Sequence, residues 1–132
     1  MVGLNDSAYV HSKKGNWVDF GEFESNIEKL IDTAAEFSKI IIFVGLYPIN
    51  EAIMDPMPYD LDKSYHNEDV GRYDQRLMVA AKKNNAEYIP IFDKFEEQNY
   101  KKLLHDGAHP NTAGHRLIFE TVRYYLLAVK II

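Results

Sequence analysis

The sequence predicts an α/β fold, with a parallel sheet carrying helices on its faces. Three observations predict it. Helix-type and strand-type patterns follow one another as helix, strand, helix, strand, helix. The run Ile40-Ile41-Ile42-Phe43-Val44 is apolar and rich in β-branched residues, without the polar alternation of a half-exposed strand, which suits a strand covered on both faces. Each helix pattern also opens at a residue able to cap it: Asp19, Asn67 and Asn111. At 132 residues the chain has the length of one domain, residues 1–132, with room for a real core.

The first helix is expected over Asp19 to Phe37. Phe20, Phe23, Ile27, Leu30, Ile31 and Ala34 recur at three- and four-residue steps. Asp19 with Glu22 three residues later fits a capping box, with Asp in place of the usual Ser or Thr. A strand follows at Lys39 to Leu46. Pro48, Pro56 and Pro58 then mark a long loop from Tyr47 to about Tyr65. Asn67 caps a second helix running to about Asn84, with Val70, Tyr73, Leu77 and Ala80 or Ala81 turned inward. A second short strand spans Ala86 to Phe92, and its Pro90 pushes it toward a sheet edge. Residues 93–105 read as a short helix and a connector. Asn111 caps the last helix, with Leu117, Ile118, Val122, Tyr125 and Leu126 on one face. Two strands are fewer than a sheet usually holds. Met1-Val2-Gly3 reads as the end of a strand that begins outside the sequence.

The formal net charge is −5, which argues against a nucleic-acid surface and against a polybasic membrane anchor. No apolar run reaches membrane-spanning length, and the start lacks a basic-then-apolar leader pattern. The expected compartment is therefore the cytoplasm. There is no cysteine, which excludes disulfides, thiolate zinc sites and cysteine nucleophiles.

The chemistry concentrates in Asp106-Gly107-Ala108-His109-Pro110-Asn111, followed by Gly114-His115. In acyl transfer a histidine takes a proton from a serine and passes it to the leaving group. A carboxylate holds the ring in the right tautomer and stabilises the imidazolium. Asp106 three residues before His109 can supply both from one loop, although Asp106-Gly107 also reads as an ordinary turn with His109 at the surface. At the other end stands Gly3-Leu4-Asn5-Asp6, a turn signal by itself. In a loop at the carboxyl end of a strand, the Asn5 amide can instead point at a developing oxyanion, a contribution of about a hundred- to a thousand-fold in rate. His105, Asp106, His109 and His115 also form a His/Asp cluster. Pro110 opposes a helix through His105 and His109, and no Glu follows His105 as a helical zinc-protease pattern requires, so no metal is expected.

The two motifs together resemble the SGNH (GDSL-like) hydrolases, serine esterases and acylhydrolases. Gly3, Asn5 and Asp6 match the family's third sequence block. Asp106, His109, Pro110, Asn111, Gly114 and His115 match its fifth. Phe43-Val44-Gly45-Leu46-Tyr47-Pro48 looks like its fourth strand and following loop, and Asn67 to Leu77 like the next helix. The resemblance implies a flavodoxin-like three-layer α/β/α fold and hydrolysis of a small-molecule ester through an acyl-serine intermediate, with no cofactor. It implies His109 as general base, Asp106 as its orienting acid and Asn5, with Gly3, in the oxyanion and substrate-binding corner. Asn111, Gly114 and His115 would shape the helix start.

The family's first two blocks, which carry the nucleophilic serine and an oxyanion glycine, lie upstream of its third, and here the third begins at residue 3. The expectation is a C-terminal portion of a longer enzyme with little activity alone. Ser7, Ser12, Ser25, Ser38 and Ser64 are present, but none sits in a Gly-x-Ser-x-Gly elbow or follows Gly-Asp. Ser7, two residues after Asn5, is the nearest substitute. Loss of neighbouring strands would leave one edge of Lys39–Leu46 open, so self-association through that edge is expected. The rivals are a catalytically inactive binding or assembly module of the same fold, and an unrelated α/β small-molecule binder. A nucleotide is not the expected ligand of that binder, since no glycine-rich phosphate loop is present. Tyr47, Tyr59 and Tyr65 flank the proline-rich loop, as acyl-pocket lining or as loop packing.

Overall fold

The computed structural model describes residues 1–132. Its centre is a pair of parallel strands, β3 (Ile42–Val44) and β5 (Glu87–Ile89), in register Ile42 to Glu87 and Val44 to Ile89. Hydrogen bonds from Glu87 N to Ile41 O and from Gly45 N to Ile89 O extend the pairing at each end. Successive residues of β3 feed two cores. Phe43 enters the larger one, under α1 (Phe20–Ala35) and α3 (Asn67–Lys83). Ile42 and Val44 pack into the smaller one, with α4 (Phe92–Glu96) and α5 (Thr112–Ala128). The result is an α/β fold whose parallel sheet has a helix layer on each side.

Both long sequence-predicted helices on the first face form. Asp19 accepts the Glu22 amide at 3.0 Å and caps α1, while Phe23, Ile27 and Ile31 turn inward. Leu30, expected inside, is 43% exposed. Phe20 and Phe23 close on Tyr73 of α3 at 4.7 and 5.0 Å between ring centroids. Val70, Tyr73, Leu77, Ala80 and Ala81 are buried as the periodicity predicts. The cap of α3 differs. His66 occupies the cap position, and the Asn67 carboxamide instead accepts from Ile49 N at 2.8 Å and donates to Ile49 O at 2.9 Å. Asn67 thus ties the long loop to the helix.

The strand expected over Lys39–Leu46 is shorter, because its one partner, β5, is three residues long. Nor is it covered throughout: Ile40 is 54% exposed. β5 has no second neighbour, consistent with Pro90 at its end. Met1–Gly3, expected as the end of a strand, form none. A small antiparallel sheet that the sequence does not announce joins β2 (Gly15–Asn16), β1 (Tyr9–Val10) and β4 (Lys63–Ser64). Within the long loop, α2 (Glu51–Met54) precedes β4. A buried carboxylate, Asp74 of α3, secures the exit of β3. It accepts from Leu46 N at 2.7 Å and from the Tyr88 hydroxyl of β5 at 2.6 Å. Burial raises its pKa, and those two bonds oppose the rise. Gly45 is required there, because a Cβ would collide with the Tyr88 hydroxyl and Asp74.

Candidate functional site

A closed loop carries Asp106 and His109. His105 N donates to His109 O at 2.7 Å, and Asn111 N donates to Leu103 O at 2.9 Å. Asn111 then caps α5, accepting from Ala113 N and Gly114 N, while its amide donates to Lys102 O at 2.8 Å. A 3-10 turn over Tyr100–Leu103 feeds this loop. Gly107 makes the bend at φ +98°, and a Cβ there would press on Ile53 and Met54.

Asp106 both builds the turn and holds the imidazole. Its Oδ1 accepts from Ala108 N at 3.0 Å and His109 N at 2.8 Å, and its Oδ2 lies 2.7 Å from His109 Nδ1. Burial works against its ionisation. The two amide hydrogen bonds, the imidazole contact and the charge of His109 outweigh it and hold the carboxyl well below the usual carboxylate range. An ionised Asp106 accepts Nδ1–H, so the neutral ring keeps its proton there and offers Nε2 as a base. His109 is 70% exposed and lines a concavity of about 410 Å³ with Tyr47 and the turn from Met1 to Asp6.

Asn5 enters the same concavity from the opposite end of the chain. The Tyr65 hydroxyl donates to Asn5 Oδ1 at 3.0 Å. Burial first, then the neighbouring Tyr59, Tyr47 and Asp6, pushes the Tyr65 phenol up to about 12, so it remains a donor at neutral pH. With Oδ1 so engaged, the Asn5 Nδ2 hydrogens are the ones left for a ligand. Gly3 lies in the wall at φ +114°, where a Cβ would stand 3.0 Å from Phe23 Cζ. Tyr47 stacks on Phe95 at 5.1 Å, and burial together with the Asp106 charge pushes its hydroxyl up to about 12.

No serine lines this concavity. Ser7 is fully buried and donates to Leu4 O at 2.7 Å. Ser64 is buried on β4 against His11 Nε2 at 2.8 Å. Ser12 binds Asp62, Ser38 binds Ile40 O, and Ser25 lies on the outer side of α1. Of His105, Asp106, His109 and His115, only Asp106 and His109 meet, and no group of three metal-ligating side chains converges anywhere in the chain. No helix is long and apolar enough to cross a membrane. The residue that sequence reasoning placed only loosely is Tyr65. Its contact with Asn5 spans sixty positions and leaves no local signature.

Residues 1–117 match the family described as GDSL-like Lipase/Acylhydrolase. Among solved structures, a Streptococcus pneumoniae protein provisionally described as a platelet activating factor superposes with TM-score 0.74 at 22% identity, over 96% of this chain and 57% of that one. LAE5, an α/β hydrolase enzyme from the metagenome of Lake Arreo, Spain, gives TM-score 0.60 at 22% identity, over 84% of this chain and 47% of that one. The chain thus spans about half the length of these structural relatives. No curated protein sequence matches it.

Proposed function

The chain belongs to the GDSL-like lipase/acylhydrolase family, and on that premise we propose that it carries the acid, the base and an oxyanion donor of a serine ester hydrolase. The observation that carries the reading is His109 Nδ1 held by Asp106 at 2.7 Å, with Nε2 free in a concavity it shares with Asn5. In the reaction, His109 Nε2 takes the proton from an attacking serine Oγ as that oxygen bonds to the ester carbonyl. The Asn5 amide donates to the resulting oxyanion. The imidazolium, stabilised by Asp106, returns the proton to the departing alcohol. Water, activated by the same Nε2, then releases the acid from the acyl-serine.

The serine comes from polypeptide outside residues 1–132, because none in the chain faces His109. Losing the nucleophile removes most of the rate, so this polypeptide has little esterase activity alone. The assay is a short-chain nitrophenyl ester. Ordinary esterase turnover by residues 1–132, abolished by His109→Ala, refutes the division of labour. A product extended upstream of Met1 should carry Gly-Asp-Ser and turn the ester over. The cytoplasm is the proposed compartment, which cell fractionation tests.

A second reading has one observation in its favour. The edge of β3 opposite β5 is unpaired, with Ile40 54% exposed beside it. An inactive module could use that edge to pair with another copy. A clean monomer by light scattering at micromolar concentration counts against it.

A further inference from the structure

We propose that Tyr47 is a further catalytic residue of this site, whose hydroxyl donates a hydrogen bond to the carbonyl oxygen of the ester as a second donor beside the Asn5 amide. The inference rests on the esterase reading for the identity of that oxygen.

Three tyrosines of the chain are buried: Tyr47, Tyr65 and Tyr73. The Tyr65 hydroxyl donates to Asn5 Oδ1, and the Tyr73 hydroxyl donates to Val18 O. The Tyr47 hydroxyl has no partner in the chain, although the residue is only 5% exposed and its ring is stacked on Phe95. Nor is that hydroxyl sealed in. Asn50 Oδ1 is the one buried side-chain polar atom left without a hydrogen bond. An unpaired hydroxyl that is not sealed opens onto the surface its residue lines. Tyr47 lines one concavity, which it shares with His109 and Asn5.

The hydroxyl stands between the two halves of the site. The Tyr47 phenol feels the charge of Asp106, which holds His109. The Tyr65 phenol, which anchors Asn5, feels that of Tyr47. A phenylalanine would fill the apolar cluster of Ile89, Ile91, Phe95, Leu103 and Leu104 equally well, so what the hydroxyl adds is a polar group aimed out of that cluster. Protonated up to about 12, it supplies no base at neutral pH and offers its proton instead. The leaving oxygen is served by His109 Nε2, which returns a proton to it. The carbonyl oxygen is where negative charge develops, and a tetrahedral oxyanion accepts more than one donor. No proton moves in this role: Tyr47 keeps its O–H, and its hydrogen bond strengthens as the charge grows.

No serine of the chain faces His109, so an ester can be bound without being consumed. The chain is titrated with ethyl acetate, with methyl propyl ketone, which keeps the carbonyl and lacks the alkoxy oxygen, and with diethyl ether, which lacks the carbonyl. The Tyr47 Cζ signal is followed by NMR. Ester and ketone should shift it saturably, with dissociation constants of about ten millimolar, and the ether should not. In Tyr47→Phe, followed through the His109 ring signals, both carbonyl probes should bind about two- to tenfold more weakly. The melting temperature of that variant should be unchanged, because no hydrogen bond within the chain is lost. No saturable Cζ shift, an equal shift with ether, unchanged affinity in Tyr47→Phe, or a lowered melting temperature overturns the proposal. A shift with ester and ether but not ketone also overturns it, by assigning the hydroxyl to the leaving oxygen. The Cζ readout belongs to the parent chain and stands if the variant does not fold. Carbonyl-selective binding lost in Tyr47→Phe, with no hydrolysis by the upstream-extended product, keeps the donor and removes the esterase reading. An active extended product whose kcat is unchanged by Tyr47→Phe does the reverse.

Discussion

Gly114→Ala sets two physical effects against each other. Gly114 lies in the first turn of α5, where alanine normally stabilises a helix by about 1 kcal/mol over glycine. Packing gives the opposite sign. A Cβ at this position would sit closer than 3.0 Å to the carbonyl oxygen of Leu103 and 2.9 Å from Pro110 Cβ. Neither neighbour can swing aside. Leu103 O already accepts from Asn111 N, and Pro110 is bridged to Leu104. The helix must back away from the 3-10 turn, and overpacking of this kind costs about 1–3 kcal/mol, more where backbone moves. The net expectation is a loss of about 1–2 kcal/mol, or about 3–8 °C in melting temperature for a domain of this size. Urea denaturation followed by circular dichroism measures it. The His109 ring signals should shift in the same variant, because Asn111 and Pro110 frame the loop that carries the imidazole. A melting temperature equal to or above that of the parent chain would refute the close approach and return Gly114 to a simple propensity effect.

Tyr65→Phe should release the Asn5 carboxamide: its side-chain amide signals lose order, stability falls by about 1 kcal/mol, and in an upstream-extended product kcat falls while KM holds. Unchanged Asn5 amide signals would show that Tyr65 does not position it. Ser7→Ala removes a buried donor to Leu4 O and should cost about 1 kcal/mol while leaving any hydrolysis by the extended product intact. Abolished turnover would instead make Ser7 the nucleophile. Asp106 titrates below the unfolded carboxylate range, so its stabilisation is complete above about pH 4 and is lost as pH falls through its folded value. Urea midpoints between about pH 5 and pH 2 should fall less steeply in Asp106→Asn, with the sign as the readout because solvent screens a side chain that is 41% exposed. Identical acid limbs would contradict the hydrogen-bond account.

What was legible in the sequence was what the chain decides locally. Asp106 reaches His109 across one turn, and Asn111 caps the helix that starts beside it, so spacing alone points to both. The α1 and α3 faces follow from a period of 3.6. Asn67 shows where this reasoning stops. It has the residue type and place of a helix cap, yet its carboxamide is claimed by Ile49, eighteen residues away. The β1, β2 and β4 strands are two residues each, too short for any alternation, and Lys14 takes the φ of +56° in the hairpin turn where glycine or asparagine would have signalled it. Strand β3 was read too long because its apolar run records what could be buried, whereas its ladder ends where β5 ends.

The two halves of the candidate site therefore stand on different footings. The Asp106–His109 half is stapled mainly by short-range bonds within residues 102–114, with one longer tie to the 47–65 loop, Asn50 N donating to Gly107 O at 2.8 Å. The Asn5 half depends on Tyr65, whose backbone N–H is fixed to Met54 O at 3.0 Å and whose neighbour Ser64 is paired to Tyr9 in the small sheet. The loop from Tyr47 to Tyr65 is thus more than a wall. At its β4 end it carries the hydroxyl that binds the Asn5 carboxamide, so a disturbance confined to that end should disorder the Asn5 corner more than the acid–base pair, which the loop holds instead through Asn50 and the packing of Ile53 and Met54 on Gly107. Recovery of the Asp106–His109 motif from sequence is consistent with that asymmetry. The proposed base is encoded by neighbours, and the proposed donor by the fold.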